Sequence, residues 1–101
     1  MPLPPNGLSV QVFAPLLGQS FTLVEGDTET VLELISVRER PESRSGPEFR
    51  VPFFLEFRSS SPAVMPQRIY QLKHATLGEI GLFLVPLRRD ATSCTYCSTF
   101  N

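Results

Sequence analysis

Two thiols three residues apart, in Cys94-Thr-Tyr-Cys97, and one imidazole, His74, are the side chains of this 101-residue chain with the widest chemical range. The C-x-x-C spacing serves either a redox pair or half of a zinc site. A redox pair opens a helix whose N-terminal end stabilises the thiolate, whereas Thr95, Tyr96, Thr99 and Phe100 favour an extended strand. Alternation along that strand sends the two thiols to opposite faces. Tetrahedral zinc needs four ligands, and with His74 the only histidine, carboxylates would have to complete the set. No metal and no other cofactor is therefore expected. Nucleophilic catalysis by Cys94 or Cys97 needs His74 within hydrogen-bond reach and a third group to orient it. Nothing in the order of residues brings them together. The carboxylate pairs Glu25 with Asp27 and Glu39 with Glu42 fall in turns or at exposed strand ends, where solvated charge is the plainer reading. No residue is singled out as catalytic, and no enzyme is expected.

The elements that hold these groups are extended. Ten prolines leave little room for long helices. Residues 1–7 carry Pro2, Pro4, Pro5 and Gly7 and read as an arm; Val12, Leu16 and Leu17 then fit a short helical turn limited by Pro15 and closed at Gly18. From residue 19 onward strand signals dominate. Phe21 and Leu23 share a face of one strand, and Gly26 marks an acidic turn into the next. There Leu32 and Leu34 face one way and Val37 the other, which predicts a bulge near Ser36. Residues 40–50 read as the longest loop. Phe53, Leu55 and Phe57 alternate with Phe54, Glu56 and Arg58, the clearest half-buried strand. Tyr70, Leu72 and His74 share a face of the next, before a turn at residues 75–78. Residues 79–87 are apolar on both faces, which predicts a central strand covered on both sides, with an end, an edge or a bulge at Pro86. The strand from Cys94 to Phe100 closes the chain. About six strands with short connections predict an all-β single domain, an antiparallel sandwich or small partly open barrel, with residues 1–18 as an arm and helical turn and 19–101 as the β domain.

Composition narrows the function. A chain of this length buries roughly 65% of its unfolded surface, enough for one modest core. Nine basic against ten acidic residues give a net charge of −1, far from the balance of a phosphate-backbone binder, so nucleic acid is not an expected partner. Residues 1–37 hold Glu25, Asp27, Glu29 and Glu33 and no Lys or Arg. Eight of the nine bases are Arg, which suits carboxylate recognition or interfacial pairing. The longest strongly apolar stretch, residues 80–87, is far below the roughly 20 residues of a membrane-spanning helix. The first 24 residues lack the positive start and unbroken apolar stretch of a secretory signal. A soluble, cytoplasmic protein with reduced cysteines is expected. Arg38, Arg40, Arg44 and Arg50, interspersed with Glu39, Glu42 and Glu48, flank or populate the long loop. With Phe54, which points away from Phe53, Leu55 and Phe57, these arginines are the candidate interaction surface. Phe49, Phe53 and Phe57 read as core in the absence of a positive groove.

Five stretches carry a resemblance. They are residues 31–39, Phe53-Phe-Leu-Glu-Phe-Arg58, Pro66-Gln-Arg-Ile-Tyr-Gln-Leu-Lys-His74, Leu77-Gly-Glu-Ile-Gly-Leu-Phe-Leu-Val-Pro86 and the closing Tyr96-Cys-Ser-Thr-Phe-Asn101. Together they resemble an uncharacterised family of small bacterial proteins, a domain of unknown function whose members end in Tyr-x-x-x-Phe-Asn. The family pattern has an acidic and a small residue where this chain has Cys97-Ser98, which makes the cysteines incidental to it. The resemblance implies a β fold and an accessory role beside phage-tail-like or tail-collar-type proteins. Phe100 is expected to plug the core against Phe83 or Val85. The function read from all of this is a non-enzymatic interaction or assembly module, whose partners are proteins, a second copy among them. A small-ligand-binding or immunity-like protein ranks second, and a thiol enzyme using Cys94 or Cys97 with His74 third.

Overall fold

The computed structural model describes residues 10–39 and 53–100. The expectations for the arm at residues 1–7 and the loop at 40–50 lie outside them. Six strands follow the predicted alternation: β1 Ser20–Glu25, β2 Thr28–Glu39, β3 Phe53–Ser59, β4 Arg68–His74, β5 Gly78–Arg89 and β6 Cys94–Phe100. They close into an antiparallel barrel in the order β1-β2-β3-β6-β5-β4. Closure is made by β1 on β4, through Thr22↔Lys73, Leu23↔Leu72 and Val24↔Gln71. The chain thus has the expected all-β class, an antiparallel barrel of six strands, and the barrel is closed. Six strands enclose a space that side chains fill, and Phe21, Leu23, Leu32, Leu34, Leu55, Phe57, Leu72 and Leu84 fill it almost without exposure.

Local chemistry sets the corners. The β1–β2 hairpin has a two-residue turn, Gly26-Asp27, with φ of +61° at Gly26, the glycine-first arrangement that suits the twist of the flanking strands. In β2 the register slips between Leu34 and Ser36, opposite Phe57 and Glu56. That slip is the predicted bulge, and it returns Val37 to the inward side opposite Leu55. Pro86 is met in the same way, by a slip between Pro86 and Arg88 that absorbs a residue unable to donate to the ladder.

β5 corrects one expectation. Its inward residues Leu82 and Leu84 are buried, but Phe83 and Leu87 are each 48% exposed. A closed barrel gives every strand two hydrogen-bonded neighbours and still leaves one face to solvent, so an apolar run on both faces need not be covered twice.

The two ends of the barrel are shut differently. At the end where β1, β3 and β5 begin, the helix α1 Val10–Phe13 runs into a 3-10 turn, Ala14–Leu16, with Pro15 early in the turn, where its missing N–H costs nothing. Gly18, at φ +87°, turns the chain into β1, donating its N–H to Leu34 O at 2.8 Å. Phe13 is fully buried and meets Phe53 and Phe100 with ring centroids 6.1 and 5.7 Å apart. Phe53 and Phe100 stack at 4.5 Å and 3°. Phe100 therefore plugs the core, but against Phe53 and Phe13. Phe83 and Val85 are on the outer face of β5, while Phe100 shares the inward face of β6 with Tyr96 and Ser98. At the other end residues 60–67 cross from β3 to β4 past the ends of β6 and β5, and two phenols hold them. Tyr96 Oη accepts the Met65 N–H at 3.1 Å and donates to Ala63 O at 3.2 Å; Tyr70 Oη donates to Pro66 O at 2.6 Å.

Candidate functional site

The strands separate the three reactive groups. His74 pairs with Gly78 at the start of β5 and Cys94 with Arg89 at its end; around the other side of the barrel Cys94, Ser59, Leu32 and Phe21 lie side by side, with the imidazole against Phe21, so β3, β2 and β1 stand between thiol and imidazole. Cys94 is buried inside, whereas Cys97 is half-buried on the outer face between Glu56 of β3 and Val85 of β5, its Sγ 3.8 Å from Thr99 Oγ1. The thiols face opposite ways, as the alternation requires. Among the described residues no group of three or more His, Cys, Asp or Glu side chains is placed to hold a metal.

His74 has structural work instead. It is 7% exposed, and Nδ1 accepts the backbone N–H groups of Thr76 at 3.0 Å and Leu77 at 3.3 Å. The ring proton is then on Nε2, which donates to Gln19 Oε1 at 2.7 Å. The imidazole also lies against the Phe21 ring at 4.6 Å. One side chain thus ties the β4–β5 turn to the segment entering β1. Both ring nitrogens are thus engaged by groups other than a cysteine.

Recognition chemistry collects on the outer face of β2, β3, β6 and β5. The register sets Glu33, Arg58, Thr95 and Arg88 side by side across four strands. Arg58 Nη2 is 3.4 Å from Glu33 Oε1, and Arg88 Nη2 is 3.3 Å from Glu56 Oε1. Both guanidiniums are at least half exposed or nearly so, which leaves donors for a partner and makes the pairs weak. Arg89 donates to Pro62 O at 3.4 Å on the crossover. Two positions along the same face of β3 from Arg58, past Glu56, Arg38 is exposed opposite the half-buried Phe54. The structure thus brings Arg38 and Phe54 of the predicted surface together with Arg58 and Arg88. Arg40, Arg44 and Arg50 lie outside the described residues.

Where β3 ends, this face opens into a groove of about 730 Å³ lined by Gly18, Ser20, Val31, Glu33, Arg58, Ser59, Ser60, Asp90, Thr92 and Ser93. A smaller depression of about 150 Å³ adjoins it through Arg58, Asp90 and Ser93. Asp90 shapes the rim. Its Oδ1 accepts the N–H groups of Thr92 at 2.9 Å and Ser93 at 2.8 Å and both of their hydroxyls. The Thr92 N–H first, and then the Ser93 hydroxyl, hold its carboxyl below the ordinary aspartate range. The Asp90-Ala-Thr-Ser93 spacing is that of an Asx turn, a signal present in the sequence. The groove itself has no such local signal, since it joins residues more than 70 positions apart.

A second feature of the exterior is apolar. Ile69 and Phe83 pair across β4 and β5 and are 67% and 48% exposed. Two side chains fall short of the contiguous patch that marks an interface.

A family model described as a domain of unknown function (DUF6916) matches residues 8–100. No curated protein and no solved structure matches the chain. Among the described residues no helix is long and apolar enough to cross a membrane.

Proposed function

This chain belongs to the DUF6916 family, and from that premise we propose that it is a non-enzymatic interaction module that recognises protein partners through the outer face of β2, β3, β6 and β5. One contrast carries the reading. The barrel's own side chains occupy its interior, while arginines and a groove of about 730 Å³ stand on its exterior. Chemistry needs a nucleophile, a base and a sheltered volume in one place. Recognition needs only an ordered surface with unsatisfied donors. Arg58 and Arg88, each in a single long contact with a carboxylate, supply the donors, and Phe54 beside Arg38 supplies an aromatic anchor of the kind that concentrates binding energy. The resemblance of its motifs extends the proposal to an accessory part of a bacterial, phage-tail-like assembly working from the cytoplasm. Two unpaired thiols on opposite faces of β6 support a reducing compartment.

The test compares the native chain with a double variant, Arg38→Glu with Arg88→Glu, in affinity capture and size-exclusion chromatography. A partner or larger assembly retained by the native chain and lost by the variant is expected. Identical captures by both, together with elution as a lone monomer, would reject the module.

A further inference from the structure

The barrel is closed, yet its register leaves part of one strand without a neighbour. β2 pairs with β1 from Thr28 to Glu33, but β3 reaches β2 no further than Ser59 opposite Leu32. Residues 28–31 therefore project beyond the end of β3. In a two-residue hairpin the residues flanking the turn, here Glu25 and Thr28, exchange both backbone hydrogen bonds. The backbone of the following residues then points alternately away from and toward the partner. Leu34 shows the same phase, its N–H donating to Gln19 O and its C=O accepting from the Gly18 N–H. Glu29 and Val31, of opposite parity, thus aim their N–H and C=O groups away from β1. The Leu32↔Ser59 pairing turns the Val31 C=O toward the Ser60 N–H, and among the described residues no strand receives the Val31 N–H or either group of Glu29. Free donors and acceptors in a row are the template for an added strand. The groove starts at this edge, with Val31 on one side and Ser59, Ser60 and Asp90 on the other.

Charge identifies the occupant. Of the four carboxylates in residues 1–37, Glu25 pairs with Arg68 and Glu33 with Arg58. Asp27 and Glu29 are exposed and have no cationic partner among the described residues. Asp90, across the groove, is held by N–H and hydroxyl groups that leave its charge uncancelled. A strand laid along the edge meets these three carboxylates.

We propose that residues 28–31 of β2 accept an extended, Lys- or Arg-bearing segment of a partner protein as an added antiparallel strand. Its backbone bonds to Glu29 and Val31, and its cations face Asp27, Glu29 and Asp90. The inference rests on the interaction-module reading and names one part of the surface and the chemistry of what binds there.

The experiment titrates the full chain with a fluorescent, end-capped peptide of alternating Lys and Thr, read by anisotropy, beside a peptide of alternating Glu and Thr. Saturable binding of the Lys peptide, about tenfold or more tighter than the Glu peptide, is expected. The amide signals of Glu29 and Val31 should shift, and their exchange with solvent should slow. Val31→Pro removes one donor on the side away from β1 and leaves the β1 ladder intact, so it should weaken binding about tenfold with an unchanged circular dichroism spectrum. Asp27→Lys with Glu29→Lys changes only exposed positions and should reverse the preference between the peptides. Absence of saturable binding, equal affinity for both peptides, or binding that survives both variants would overturn the inference. So would a mass that rises with concentration while the two amides become protected without peptide, which assigns the edge to a second copy. Loss of a partner in the Arg38 and Arg88 variant tests the module separately, because neither residue lines the edge.

Discussion

The two ends of the barrel are closed by different physics. At one, Phe13, Phe53 and Phe100 form an aromatic plug with almost no polar content, and His74 fixes the adjoining turn. At the other, the closing segment is held by hydrogen bonds to two phenols, and the strand beside it keeps free backbone groups. Apolar burial is non-directional and excludes everything else from the site. Hydrogen-bonded closure uses a few directed contacts and leaves neighbouring donors and acceptors available. The plugged end is where stability concentrates, and the tied end is where recognition has room.

Emptying the plug should produce the largest change. Phe13→Ala removes a fully buried ring from two aromatic contacts and is expected to cost about 3–5 kcal/mol, read as a lowered midpoint in urea unfolding. A loss below about 1 kcal/mol would mean that the helix does not close the barrel, and the contrast between the ends would fail.

Tyr96→Phe probes the opposite end and should cost less, about 1–3 kcal/mol, by leaving the Met65 N–H and Ala63 O without their partner. Its pH dependence sharpens the comparison. Burial first, then the neighbouring Cys94 thiol, pushes the Tyr96 phenol up to about 12 from 10.0. The fold prefers the protonated phenol. Its contribution is thus complete below pH 10 and is lost as pH rises through about 12. The native chain should lose stability across that interval and Tyr96→Phe should lose less, whereas parallel curves would remove Tyr96 as the cause.

On the exposed face, a double-mutant cycle of Arg58→Ala and Glu33→Ala should return a coupling of about 0.2–1 kcal/mol that shrinks in high salt, since both side chains are about half exposed. A coupling several times larger would show that the pair is part of the scaffold rather than available to a partner. The smallest effect is expected at Asp90→Asn. The carboxyl is held below its ordinary value of 3.8, so its advantage over the amide is present above that pH and lost as pH falls through the lowered value. Melting temperatures of the two proteins should differ slightly at neutral pH and converge in acid. A difference that widened in acid would contradict the turn's hydrogen bonding.

Particular residues show how much could be read in advance. Phe53, Leu55 and Phe57 announced their strand because period-two alternation is a property of adjacent residues. The mismatch of Val37 with Leu32 and Leu34 announced the β2 bulge for the same reason. Phe13 was harder to read: Val12, Leu16 and Leu17 suggest a helical turn, but only the position of that turn over the barrel makes Phe13 a core residue. Phe100 was legible as a plug and illegible in its partner, because facing depends on strand order. Of the site, Arg38 and Phe54 were visible by type and phase. The groove joining Gly18 to Asp90 was not, and neither was the open edge at Glu29 and Val31.

Sequence alone determined what each side chain does relative to its neighbours along the chain. The inward set, the glycine turns at Gly26 and Gly78, the opposite facing of Cys94 and Cys97, and the uneven charge all follow from spacing and residue type. Only the tertiary structure decided that β1 meets β4, that β5 keeps one apolar face in solvent, that His74 and the thiols stand apart, and that β2 outruns β3. Those outcomes depend on register between strands distant in the chain, and register is set by the summed fit of the whole closed sheet.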